Sequence, residues 1–144
     1  MLFRSKRLSD PDPQIASAAA VALGAIGDAA SAAVLRGAIG ASDTAVRSAV
    51  AEGLVLCAER ATASGNAADA VTLYELVRRA DLPPQRIREA TRGAILARGE
   101  AGVPLLLEQL RSEDRGLFNI GLSTARELRS PAVDAAIEIG RAHV

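Results

Sequence analysis

The chain has 144 residues; 31 are alanine, one is tyrosine, two are phenylalanine and none is tryptophan. A core of small side chains needs backbones brought close together, which packed helices achieve and a sheet of β-branched and aromatic residues does not. Seventeen basic and seventeen acidic residues are interspersed, so there is no basic tract for phosphates, and no apolar run approaches the ~18 to 20 residues of a membrane span.

In chain order, Lys6-Arg7-Leu8 reads as the tail of a helix, comparable with Gln109-Leu110-Arg111 further on. Asp12-Pro13 then opens a helix, with proline placed where its missing amide hydrogen is not needed. Ile15, Ala18, Ala19, Ala22 and Leu23 follow at the three, four and seven spacing of one helical face. Gly27-Asp28 supplies a flexible stop and a carboxylate able to cap the next helix, whose apolar set is Ala32, Leu35 and Ile39. Ser42-Asp43 opens a second round, and the stripe returns at Val46, Ala49, Val50, Gly53 and Leu54.

This second unit is longer. Its first helix, from about Thr44, is expected to run past Arg60 to a turn at Ala63-Ser64-Gly65-Asn66, with a partner from about Ala67 to Arg79. The proportions drift toward those of tetratricopeptide repeats, without their other marks. Leu82-Pro83-Pro84 opens a third round, with the stripe at Ile87, Ala90, Thr91, Ala94 and Ile95. Gly99-Glu100 repeats the stop-and-cap device before Val103, Leu106 and Leu110. The fourth stripe is Leu117, Ile120, Gly121, Thr124 and Ala125, and Ser130-Pro131 opens the last helix.

The sequence therefore predicts helix pairs over about 9–40, 42–80, 83–111 and 113–138. One pair cannot bury its stripe alone, so stability must come from stacking neighbours. Ala18, Ala22, Ala49, Gly53, Ala90 and Gly121 are expected to set the close approach. Enlarging one of them, as in Ala22→Leu, is expected to overpack the contact by ~1 to 3 kcal/mol.

Asp10-Pro11-Asp12-Pro13-Gln14-Ile15 with Ala19 and Ala22-Leu23-Gly24-Ala25-Ile26-Gly27-Asp28 resembles the short bacterial HEAT repeat, of the subtype also called phycobilisome-lyase-like. Ser42 to Ala49 resembles its opening and Gly99 to Leu106 its second half. The resemblance spans nearly all of Ser9 to Ile137, more clearly in the first and third units. It implies an all-α, right-handed α-α superhelix of the HEAT/armadillo-like kind. It also implies that second helices line a concave surface, which would bring Arg36, Tyr74, Glu75, Arg78, Arg79, Glu108 and Arg111 to it. Tyr74 with Arg78 suits an interface hot spot, although a tyrosine filling the gap between units is the simpler reading.

Catalytic equipment is not visible. Cys57 and His143 are the only soft metal ligands, and no phosphate loop, nucleophile elbow or histidine-zinc pattern occurs. Cys57 lacks a candidate base and reads as a buried structural thiol. Glu113-Asp114 reads as a solvated turn.

The two ends share one oddity. Met1-Leu2-Phe3-Arg4-Ser5 translates GTG CTC TTC CGA TCT, and the reverse complement, shifted by two bases, encodes Ile139-Gly140-Arg141-Ala142. The string resembles a short-read sequencing adapter. Residues 1–5 and 139–144 are accordingly expected to be non-native, with 6–138 a single repeat domain cut from a longer protein. Without Arg4 and Arg141, fifteen basic residues face seventeen acidic ones, a net charge of −2, and His143 leaves the chemistry. Lys6 is the only lysine, and arginine with the alanine excess points to a GC-rich bacterial genome.

The expected function is a protein-protein interaction scaffold, not an enzyme, binding another protein or another domain without metal or cofactor. The alternative is an enzyme accessory of the phycobilisome-lyase type, cradling a tetrapyrrole or its acceptor. Few aromatic residues and the loss of the histidine speak against it, and the net charge speaks against nucleic acid.

Overall fold

The structure is a computed structural model that describes residues 2–41 and 43–142. Ser42 and His143 lie outside the described residues. A short helix α1 (Leu2–Arg7) precedes four helix pairs: α2 (Pro13–Ile26) with α3 (Ala29–Ala38), α4 (Thr44–Ala63) with α5 (Ala67–Arg78), α6 (Pro84–Arg98) with α7 (Val103–Leu110), and α8 (Arg115–Leu128) with α9 (Pro131–Ala142). A single 3₁₀ turn, Gly99–Gly102, joins α6 to α7. Among the described residues there is no strand, and the pairs stack in sequence order as an all-α solenoid.

Helix starts follow the aspartates. Asp12, Asp28, Asp43 and Asp114 each accept a backbone amide hydrogen from the first turn of α2, α3, α4 and α8, at 2.7 to 3.0 Å. Each thereby satisfies a donor that has no partner inside the helix. Gly27 closes α2 with φ 65°, a left-handed conformation that favours glycine. The Gly99-Glu100 expectation fails in one respect: Glu100 caps nothing. The chain tightens into the 3₁₀ turn because Gly102 lies so near the Ile95 carbonyl that a Cβ there would sit 2.3 Å from its oxygen. Glu100 instead accepts a hydrogen bond from the Ser130 hydroxyl at 3.2 Å, tying the third pair to the fourth.

The stripe of α4 buries as expected, with Val46, Ala49, Val50, Gly53 and Leu54 all buried, whereas α6 and α8 keep the expected phase but bury it in part: Ile87 on α6 and Leu117, Ile120 and Ala125 on α8 are half-buried. The stripe of α2 is one residue out of phase. Its buried face is Ala16, Ala19, Ala20, Leu23 and Gly24, whereas Ile15 and Ala18 are exposed and Ala22 is half-buried. A helix reading PQIASAAAVALGAI is apolar almost all round, so periodicity alone does not fix its phase.

The correction relocates the close approach. A Cβ on Gly24 would fall 2.4 Å from the Gly53 Cα, and one on Gly53 would fall 2.7 Å from the Ala20 carbonyl oxygen. Neither Ala18 nor Ala22 takes part, so Ala22→Leu is not the substitution that overpacks this contact. Gly24→Val, which forces α2 and α4 apart, is expected to destabilise by about 1 to 3 kcal/mol and lower the melting temperature by several degrees. Gly37→Ala in α3, where a Cβ meets nothing within 4 Å, is expected to gain about 0.5 to 1 kcal/mol. Thermal melting of the two variants, read by circular dichroism, checks both signs.

Candidate interaction groove

The first helices of successive pairs touch one another directly, α2 on α4, α4 on α6 and α6 on α8. Arginines span these joints: Arg86 of α6 pairs with Glu52 of α4 at 2.7 Å, and Arg88 and Arg92 of α6 pair with Asp114 and Glu127 of the fourth unit. Second helices are set apart, and α3 and α5 leave a furrow whose floor is α4. Towards the N-terminal ends of these two helices the furrow widens into a cavity of about 370 Å³, between Ala29, Ala33 and Arg36 on one wall and Asp69 and Leu73 on the other, over Cys57, Arg60 and Ala61. Towards their C-terminal ends a second cavity of about 320 Å³ lies between Ile39, Leu76 and Arg79. The furrow thus mixes apolar and polar lining, with Arg60 on its floor and Asp28, Asp69, Arg36 and Arg79 among its other lining residues.

The expected site residues separate into two groups. Arg36, Arg79, Glu108 and Arg111 are exposed. Arg36 and Arg111 make no ion pair among the described residues, and Arg79, 80% exposed, reaches only a 3.7 Å contact with Glu75. Each arginine stands in the last turn or at the C-cap of a second helix, where the helix dipole favours a cation.

Tyr74, by contrast, is 4% exposed. Its ring packs where Gly93 of α6 has no side chain, and a Cβ at Gly93 would overlap the ring. Burial raises the Tyr74 hydroxyl above its ordinary pKa, and the Glu59 charge adds to the rise. It is a core residue of the joint between the second and third pairs, not part of an open surface. This is the simpler of the two sequence readings, a tyrosine filling the gap between units, and not the interface hot spot; the small residue that receives it is 19 positions away in the sequence.

Glu75 and Arg78 are also engaged inward. Arg78 donates to Glu75 at 2.6 Å and to the Thr91 hydroxyl at 3.2 Å, and Arg98 of α6 donates to the same carboxylate at 2.9 Å. Burial by itself pushes the Glu75 carboxyl upward, but the hydrogen bonds and charges of Arg78 and Arg98 outweigh it and hold the group below its usual pKa. The furrow floor was not legible from the sequence either. Cys57 is 2% exposed, and burial, reinforced by the Asp28 charge, raises its thiol. That keeps it protonated and unreactive.

Because the folded pKa of Glu75 is depressed, its contribution is present above the unfolded value and is lost as pH falls through the folded one. The stability difference between the native chain and Glu75→Gln is therefore expected to be fully developed at neutral pH and to shrink below roughly pH 4.5. Urea unfolding across pH 7 to 3 measures it, the shift in midpoint multiplied by the denaturant slope giving the stability difference.

Among the described residues, no cluster of histidine, cysteine and carboxylates could hold a metal ion, and no helix is long and apolar enough to cross a membrane. A protein family described as HEAT repeats matches residues 3–95. Among curated proteins none matches. The crystal structure of an engineered protein, a target of the Northeast Structural Genomics Consortium, superposes with a TM-score of 0.55 at 21% identity, covering 96% of this chain and 67% of that one. At that identity the likeness concerns the fold alone.

Proposed function

The chain belongs to the HEAT-repeat family, and on that premise we propose that it is a protein-interaction scaffold, a module of a larger bacterial protein with no catalysis of its own. HEAT repeats in general mediate protein-protein contacts. The observation that carries the finer reading is the furrow between α3 and α5. It is floored by α4 at Cys57, Arg60 and Ala61, lined by apolar and polar groups together, and edged by Arg36, which makes no ion pair among the described residues, and by Arg79, whose contact with Glu75 is 3.7 Å. Such a bed suits side chains of a partner, and the rim suits its charges.

The occupant is an extended peptide segment of about five residues, since α3 spans 10 residues at 1.5 Å each, whereas an extended chain advances about 3.3 Å per residue. Arg36 and Arg79 at the rim favour an acidic side chain in that segment. Arg111, at the end of α7, and Glu108 are exposed on the second helix of the third pair. Tyr74 and the Glu75–Arg78 pair hold the walls in place from behind.

A displayed random-peptide library selected on the chain tests this. Enrichment of acidic-apolar peptides is expected, with binding weakened at least tenfold by Ala33→Trp, which fills the wider cavity from an exposed position. Arg36→Glu is expected to relax the preference for the acid. Selected peptides that bind Ala33→Trp as tightly as the native chain would refute the furrow as the site.

A further inference from the structure

The furrow between α3 and α5 lies between consecutive pairs, so both its walls and its floor belong to the chain whatever units precede or follow. Its two cavities differ in how their charges are matched. In the second, Arg47 meets Asp81 at 3.6 Å and Arg79 meets Glu75 at 3.7 Å, while Ile39, Leu76 and Ala80 supply apolar lining. In the wider one, Arg36 on the α3 wall and Arg60 on the floor make no ion pair among the described residues.

Arg60 is held in place. Its Nη2 donates to the Ala25 carbonyl at 3.0 Å, one of the last carbonyls of α2, which no amide of that helix reaches. Its stem crosses Gly27 so closely that a Cβ there would lie 2.7 Å from the Arg60 Cδ. A guanidinium has five N–H donors, so one such bond leaves most of its capacity free. The two carboxylates of the wider cavity are engaged by their own helices: Asp28 accepts the Ser31 amide hydrogen at 2.7 Å, and Asp69 accepts from the Asn66 side-chain amide at 2.6 Å. Both stand at helix N-termini, where the dipole offsets part of their charge. The wider cavity is therefore short of an anion, and the second is not.

We infer that the two cavities read two side chains of one extended segment, an acidic one on Arg36 and Arg60 in the wider cavity and a large apolar one in the second, four positions apart. This rests on the furrow being the binding site and adds the pattern of what it binds. The spacing follows from the α5 wall. Asn66, Asp69 and Leu73 line the wider cavity, and Leu76, Arg79 and Ala80 line the second, on average about nine positions further along, or about 13.5 Å at 1.5 Å per residue. An extended chain turns one face to a surface at every second residue, so side chains on that face recur at about 7, 13 and 20 Å. Four positions, about 13 Å, is the separation that fits. The acid belongs to the wider cavity because a charge-assisted bond to an arginine without a carboxylate gains more than one to an arginine already paired.

Displayed eleven-residue peptides with glutamate fixed at the sixth position and the rest random, selected on the full chain, test this in either chain direction. Large apolar residues should be enriched roughly fivefold or more at the second or the tenth position over all others. In a selected peptide, glutamine in place of the glutamate should weaken binding roughly tenfold or more on the native chain and less than about twofold on Arg60→Gln. A purely structural Arg60 would leave the glutamate-to-glutamine ratio unchanged. Gly40→Trp, at an exposed glycine where a Cβ meets nothing within 4 Å, should fill the second cavity and abolish the apolar preference while the dependence on glutamate remains. Apolar enrichment at another separation, or glutamine bound as tightly as glutamate by the native chain, would overturn the inference; where Ala33→Trp still blocks those peptides, the furrow itself survives. Peptides indifferent to Ala33→Trp, or no enrichment at all, would overturn the furrow and the inference together.

Discussion

The architecture depends on one contact, the backbone-to-backbone approach of α2 and α4 at Gly24 and Gly53. Two helices meeting without intervening side chains lie nearer than the usual 8–10 Å packing range allows for larger residues. That nearness lets alanines at positions 16, 20, 49 and 51 bury fully or nearly so. Alanine buries little apolar area, and its contribution to stability is correspondingly small. Many such residues hold a fold together only when they pack at interior density, which requires the glycine pair.

Smooth small-residue surfaces raise a second requirement, that of register. Alanine ridges offer little resistance to sliding. Arg86 with Glu52, Arg88 with Asp114 and Arg92 with Glu127 reach across successive first helices. Exposed pairs of this sort contribute roughly 0 to 1 kcal/mol each, too little to be the source of stability. A slide of one turn, about 5.4 Å, would nevertheless separate all of them together. Their value lies in selecting one alignment among several of similar packing energy.

The sequence carried the fold class, the helix pairs and nearly all their ends, because aspartate caps, glycine stops and prolines act locally and each is visible within a few residues. α4 even kept its phase, since charged residues such as Arg47, Glu52 and Glu59 interrupt its apolar surface. α2 lost its phase for want of such interruptions. Site residues were legible only in part. Arg36, Arg79, Glu108 and Arg111 are exposed, Tyr74 fills the joint against Gly93 as its simpler reading expected, and Glu75 is engaged by Arg98 of the next helix. Those partners are distant in sequence, and no spacing rule within α5 points to them. The furrow was illegible for the same reason. It is a space between two helices, and space has no residues of its own.

That space follows from how side-chain size is distributed between the two layers. First helices α2 and α4 approach at Gly24 and Gly53, whereas second helices carry Leu35, Leu73 and Tyr74, which are buried against the helices beneath them. A stack whose one layer is thin and whose other layer is thick must open on the thick side. α3 and α5 both pack on α4 and leave the furrow between them. The feature proposed to bind a partner is thus a consequence of the same small residues that hold the first helices together. In this chain stability and the opening of a surface are not separate assignments of separate residues: the glycines that close one face of the solenoid are what part the helices on the other.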